Sequence, residues 1–234
     1  MRTLWVLVVL SIATPASAIP SLGNEPNAVR TDAFLGVGER WARQSDLARA
    51  LERSGYSALS RSERSLSIGV DISVGAWRAG YQVIGVFSRH GERPGDAGEY
   101  GLKQLGVTLH AGYDFLESGT LYATPLVGFG WQQANLEISG LRSPFLDAAG
   151  SGTLTLERNA YTFVPGFAFG CVVPFQPPRG RRWPKGLLFG FRFGYGLTLG
   201  ESDWTSEEPS SFDGPDLDPG GPHFQLTLGI ANIR

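Results

Sequence analysis

The sequence predicts an all-β chain: an antiparallel up-and-down transmembrane β-barrel of eight strands with one short N-terminal helix. Three observations predict it. Apolar residues recur at every second position over runs longer than an ordinary strand, the face opposite them is rich in glycine, and the connections alternate between short and long. Glycine reaches 32 of 234 residues, roughly twice the usual ~7% share. Charged residues make up only 18%, yet the mean hydropathy is -0.07, so polar and apolar residues are finely mixed. That mixture excludes both a disordered chain and a bundle of membrane-spanning helices. The single cysteine, Cys171, excludes an intrachain disulfide framework and a thiolate metal cluster. With 20 basic and 22 acidic residues there is no global positive field to attract nucleic acid.

The chain starts with an export pattern. Met1-Arg2-Thr3 is followed by an apolar stretch from Leu4 to Ile12 and by Ala16-Ser17-Ala18, which predicts a signal peptide over residues 1–18 cleaved after Ala18. The apolar stretch is too short to span ~30 Å of hydrocarbon. Residues 19–64 read as an N-terminal lead and amphipathic helix, with 33–38 as the candidate first strand, and residues 65–234 as the barrel. Ile19 to Thr31 contains Pro20 and Pro26 and reads as an extended lead. Between Glu39 and Leu59, Trp41, Leu47, Leu51 and Leu59 are interleaved with charges. Ser45-Asp46 predicts the cap of a helix running to Arg53, and Gly55 its stop. This helix either attaches to an anionic surface or a partner, or is a solvated helix that packs a few apolar residues on the main domain. Asp46 and Glu52 dilute its positive charge and favour packing.

From Leu66 the period is two. Leu66, Ile68, Val70, Ile72, Val74 and Ala76 alternate with Ser67, Gly69, Asp71, Ser73 and Gly75. The alternation recurs over Leu105 to Phe115, Leu121 to Gln132, Leu187 to Leu199 and Phe224 to Ile230. Tyr81 to Ser88 and Tyr161 to Phe175 are further strands. An export signal, strand length and a second face carrying Gly106, Gly112, Gly128, Gly130, Gly190, Gly194, Gly196 and Gly229 favour a barrel with its apolar face outward over a soluble sandwich. Trp77, Tyr81, Tyr113, Tyr122, Trp131, Tyr161 and Trp183 are candidates for interfacial girdles or for ordinary core and turn packing.

Trp77-Arg78-Ala79 and Glu117-Ser118-Gly119 read as tight turns, and Gln176 to Gly186 as a connection of medium length on the same side. Arg89 to Glu99, Gly140 to Gly152 and Glu201 to Pro222 read as long loops at the other end. Seven strands are evident and closed single-chain barrels have an even number, so an eighth must precede Leu66. Ala33 to Gly38 is the candidate, with the helix in the first long loop. A split of Thr153 to Phe175 near Asn159 is the fallback.

With these strands in place, the chain resembles small bacterial outer-membrane β-barrel proteins of the eight-stranded class over residues 65–234. The resemblance is carried by the signal ending Ala16-Ser17-Ala18, the run Gly186-Leu187-Leu188-Phe189-Gly190-Phe191-Arg192-Phe193-Gly194-Tyr195 and the closing His223-Phe224-Gln225-Leu226-Thr227-Leu228-Gly229. It implies a location in the outer membrane and does not fix an activity, since the family includes adhesion, structural and hydrolytic members.

Chemistry-bearing motifs are sparse. No phosphate loop and no Gly-x-Ser-x-Gly occur, and His90, His110 and His223 lack metal-ligand spacing. Asp71, His110, Asp114 and Arg192 fall on the inner face and form a candidate lumenal polar network, because charge in so narrow an interior has to be paired. The competing reading is a hydrolase in which His110 and Asp114 serve acid-base work with a serine. Asp213, Asp216 and Asp218 form a possible cation loop that lacks the EF-hand pattern, and a solvated acidic loop is the better reading. Arg179 to Lys185 is a basic turn that either touches anionic lipid headgroups or cell-wall material, or is solvated.

The function read from this pattern is an exported, non-enzymatic outer-membrane barrel with a structural or surface-interaction role. Eight strands leave too little room for a general pore. The alternatives are a soluble periplasmic or secreted barrel that binds an apolar ligand, and an outer-membrane lipid or ester hydrolase. The expected partners are membrane lipid and, further out, cell-envelope components. No nucleic acid, metal or cofactor is expected, and the expected state is a monomer.

Overall fold

A computed structural model describes residues 29–41, 45–53, 55–57, 62–87, 91–92, 98–116, 121–139, 153–174, 186–206, 211–212, 218 and 220–233. Eight long strands form the sheet: β1 Val29–Trp41, β2 Ser62–Val74, β3 Trp77–Phe87, β4 Glu99–Tyr113, β5 Leu121–Ser139, β6 Thr153–Pro174, β7 Gly186–Glu201 and β8 Gly221–Ile233. Each pairs antiparallel with its sequence neighbours. β1 also pairs with β8, from Arg30↔Ile233 to Arg40↔His223, and closes the barrel. No sheet edge is left unpaired along this circuit, which is what closure accomplishes for an all-antiparallel chain.

The predicted eighth strand at 33–38 is the centre of β1, which extends beyond it at both ends. The fallback split near Asn159 is not needed, because β6 is one strand of 22 residues. A barrel boundary at residue 65 is too late. It omits β1 and cuts β2, whose Ser62, Glu63 and Arg64 pair with Trp41, Arg40 and Glu39. The predicted turn at Trp77-Arg78-Ala79 is also corrected. Val74 pairs with Trp77, so the turn is Gly75-Ala76, and Gly75 has φ 56°, the left-handed value a two-residue hairpin asks of its first residue. The alternation continues through the supposed turn, with Trp77 outward and Arg78 inward. Residues 1–28, 117–120, 140–152 and 175–185, which hold the signal, one tight turn, one long loop and the basic turn, lie outside the described residues.

The apolar face is outward. Leu35, Val37, Leu66, Ile72, Leu109, Val127, Phe129, Phe193, Leu226 and Leu228 are all exposed, while the intervening inner positions are buried and mostly polar or glycine. Two hydrophobic layers and a charged middle fill the inside. Near the short-turn end Phe34, Tyr122, Ala168, Val172, Leu188 and Ala231 cluster. At the loop end the helix α1, Ser45–Arg53, covers the opening: Leu47 and Leu51 are 0% exposed against Tyr56, Tyr100, Leu102, Leu136, Ile138, Leu156 and Trp204. Gly55, at φ 83°, stops the helix. The packing alternative for this helix is therefore the observed one. Shortening Leu51 to Ala is expected to cost about 2–5 kcal/mol of core packing. The measurement is amide exchange over Ser45–Arg53, which should quicken while the barrel itself stays folded.

The strands do not end where the outer apolar belt ends. β4, β5 and β6 continue beyond it at the loop end, joined by the short strands Gly91–Glu92, Trp204–Ser206 and Ser211–Phe212. In this extension the two faces exchange chemistry without a change of register along β5. Below it, Leu105, Val107 and Leu109 of β4, Val127, Phe129 and Trp131 of β5, and Tyr161 and Phe163 of β6 face out. Above it, Lys103, Gln133, Asn135, Glu137, Thr155 and Glu157 face out, and Leu102, Leu136, Ile138 and Leu156 face in under the helix. Lys103 and Glu137 pair at 3.2 Å on that outer polar face.

The aromatic candidates separate by level. Trp77 and Tyr113 meet edge to face at 5.2 Å on the outer surface beside the short-turn end, and Trp131 pairs with Tyr161 at the upper margin of the belt. Tyr81, paired with Val70 and Leu109, sits within the belt and not at its margin. Tyr122 is on the inner face and buried, so it belongs to no girdle. Trp183 lies outside the described residues.

Candidate functional site

The inner face collects the charges because the period-two pleat sends each of them there: Asp32 and Arg40 from β1, Glu63 and Asp71 from β2, Arg78 from β3, His110 from β4 and Arg192 from β7. Near the short-turn end Asp71 is the hub. His110 Nε2 lies 2.7 Å from Asp71 Oδ1, Arg78 Nη1 donates to Asp71 Oδ2 at 3.4 Å, and Arg192 Nη2 reaches the same Oδ2 from across the barrel. Arg192 Nη1 also stands 3.3 Å from His110 Nε2. Asp114 enters through Arg78, at 3.3 Å, and accepts from the Thr124 hydroxyl. Four residues singled out from the sequence thus lie within one connected set.

Sequence reasoning misses the members that join them. It assigns Arg78 to a turn, and it leaves Asp32 unassigned between the extended lead, which ends at Thr31, and the candidate strand at 33–38. In the fold Arg78 is fully buried, touching Asp71 and Asp114 and approaching Asp32 at 4.0 Å, and Arg30 pairs with Asp32 at 3.0 Å. The rings also take part. The Arg78 guanidinium lies 4.2 Å from the centre of the Tyr122 ring and that of Arg30 5.3 Å from it, while Arg192 lies 4.0 Å over Phe34. Gly80 matters at this level, since a Cβ there would run into the Asp71 carboxylate. The only sequence signal for Arg78 is its parity: it falls on the inner face once the turn is moved back by two residues.

A second polar layer lies toward the loop end. Arg40 donates to Glu63 through Nε at 3.2 Å and Nη2 at 2.7 Å, to Gln132 at 2.9 Å and to Gln104, and Gln104 in turn donates to Glu63 at 3.4 Å. Between the layers Gln82 donates to Gln225. Above them Arg158 pairs with Glu201 at 2.8 Å. Each of these buried arginines faces a carboxylate, which is the condition for keeping the charges ionised away from water.

The possible cation loop is only partly visible. Asp213 and Asp216 lie outside the described residues. Asp218 accepts from the Thr198 hydroxyl at 2.6 Å and the Gly220 amide at 2.8 Å, both on Oδ1, which makes it a local anchor for the start of β8. Among the described residues no group of three or more His, Cys, Asp and Glu side chains could hold a metal.

Closure, eight strands, an apolar exterior and a charged interior define the class: a closed antiparallel up-and-down β-barrel. Solved structures of similar barrels include Ail, the attachment invasion locus protein of Yersinia pestis, with a TM-score of 0.49 and 11% identity over 88% of this chain and 99% of that one. A major outer membrane protein from Thermus thermophilus gives 0.47 and 9% over 88% and 99%, and the outer membrane protein OprG from Pseudomonas aeruginosa 0.45 and 12% over 90% and 98%. No protein-family model and no curated protein matches the chain.

Proposed function

We propose that this chain is an outer-membrane barrel with a structural or surface-interaction role carried by its loop end, and that it is not a general pore. The observation that carries the membrane reading is the exchange of faces along β4, β5 and β6. A barrel in water along its whole length has no reason to turn its apolar residues outward below Lys103, Gln133 and Asn159 and inward above them. A lipid boundary at that level supplies the reason, because the outer face must match hydrocarbon on one side of it and water on the other. The outward runs Leu105 to Tyr113 and Leu121 to Trp131 have the ~9–11 residues a tilted strand needs to cross.

Against a pore stand the paired charges around Asp71 and Arg40 and the α1 cap, which obstruct the lumen at three successive levels. Against the hydrolase reading, His110 Nε2 faces Asp71 and Arg192, and not a serine hydroxyl among the described residues. The sheet extension and its helix project beyond the belt and offer the surface on which a partner would act. The expected result is a protein that fractionates with membranes, migrates faster on gels unheated than heated, and adds no steady conductance to a planar lipid bilayer. A soluble protein without a heat shift would sink the membrane reading, and a large open-channel current would sink the closed-lumen reading.

A further inference from the structure

Between the two charged layers the interior holds a cavity of about 70 Å³, bounded by Arg192 and His110 on the short-turn side and by Arg40 on the loop side. Its wall is electrically one-sided. The charged groups among its lining are the guanidiniums of Arg40 and Arg192, and no Asp or Glu lines it. The carboxylates that balance the two arginines, Glu63 and Asp71, bond to them but stand outside the lining. Each ion pair therefore turns its positive end to the cavity, where a low dielectric enlarges the field of that end. Ser65 supplies a second and independent sign. It lines the same cavity, is 7% exposed, and its Oγ has no hydrogen-bond partner among the described residues. A buried hydroxyl left unmade in this way calls for a group that completes it.

We infer that this cavity is a binding site for one small free anion of the size of a halide, nitrate or formate, held by the field of Arg40 and Arg192 with the Ser65 hydroxyl as a direct donor. An anion accepts hydrogen bonds without needing to give any, which suits a wall rich in guanidinium and hydroxyl groups. Cations are disfavoured because no lining side chain carries negative charge. The apolar part of the wall, Ile84, Val86, Leu126 and Val164, and the volume of about 70 Å³ exclude large organic anions. This site lies inside the barrel and does not depend on the surface role proposed above.

The test uses the full chain folded in detergent micelles. Thermal unfolding is followed while sodium bromide is added against sodium gluconate at constant ionic strength, and crystals grown in bromide are examined for anomalous scattering. The expected results are a saturable rise of the unfolding midpoint with bromide but not with gluconate, and a bromide peak within hydrogen-bond reach of Ser65 Oγ. Ser65→Leu, which fills the cavity, should weaken the bromide response at least tenfold, and Ser65→Ala should weaken it less. Should Ser65→Leu not fold, the unaltered chain and Ser65→Ala still decide the matter. Equal responses to bromide and gluconate, bromide found only on the outer surface, or a cavity holding only water would each overturn the inference.

Discussion

Leu109→Arg is expected to destabilise the barrel by about 2–4 kcal/mol when it is folded in lipid vesicles, read as a fall in the urea concentration of half-unfolding. Leu109 is the central member of the outward run Leu105, Val107, Leu109, Ala111 and Tyr113, and it is 63% exposed in the isolated chain. Those two facts make it diagnostic. In a soluble barrel a leucine that already meets water would change to arginine within roughly 0.5 kcal/mol. At the middle of a lipid-facing belt the same change places a cation in hydrocarbon. Gln133→Arg is the internal control, since Gln133 pairs with Leu105 and opens the outer polar face of β5 above the belt. It should be nearly neutral in either case. A Leu109→Arg protein as stable as the parent in vesicles would remove the lipid from the argument and return the apolar exterior to an unexplained feature.

The same alternation that makes Leu109 legible as an outward residue makes most of the barrel legible. Period two identifies seven strands, and the parity rule for closed barrels demands β1, whose Ala33–Gly38 stretch is short and flanked by Asp32 and Glu39. The helix is legible from its capping residues and from Gly55. What escapes is the exchange of faces. It is written in the sequence as a shift of apolar residues from odd to even positions, from Phe129 and Trp131 to Ala134, Leu136 and Ile138, with no inserted residue. Taken locally, such a shift looks like the end of a strand, because only the environment outside the sheet gives it meaning. The interior is legible by face and not by level. Parity assigns Asp71, His110, Asp114 and Arg192 to the lumen, but which of them meet depends on the stagger of strands far apart in sequence, and Arg192 reaches Asp71 across 121 positions. Arg78 and Asp32 escape for a simpler reason: a charge in a turn or next to an extended lead is ordinarily solvated, and here both are buried.

Asp71→Ala should be among the most damaging single changes inside the barrel, about 3–5 kcal/mol, the range for removing one partner of a buried ion pair. Asp71 holds groups from three other strands: Arg78 of β3, His110 of β4 and Arg192 of β7. The loss falls unevenly on them. Arg78 keeps Asp114 at 3.3 Å and Asp32 at 4.0 Å, whereas Arg192 keeps only the His110 nitrogen and the face of Phe34 among the contacts of the described residues. Asp114→Asn should therefore cost much less than Asp71→Asn, although both carboxylates touch Arg78. The stabilities of the two variants in urea, measured side by side, check that ordering. The pair Asp71–Arg192 should also show a coupling of about 0.5–3 kcal/mol in a double-mutant cycle with Asp71→Asn and Arg192→Met, since removing the stranded cation relieves part of what removing the carboxylate inflicts. If the single changes merely added, the contact would be incidental to folding, and the register of β7 and β8 against β1 and β2 would rest on the backbone ladder and on the lesser contacts of Arg192 with Phe34 and of Ser67 with Gln225. Strong coupling would instead identify this buried pair, one partner from each end of the chain, as the link that draws the two ends of the sheet into a closed barrel.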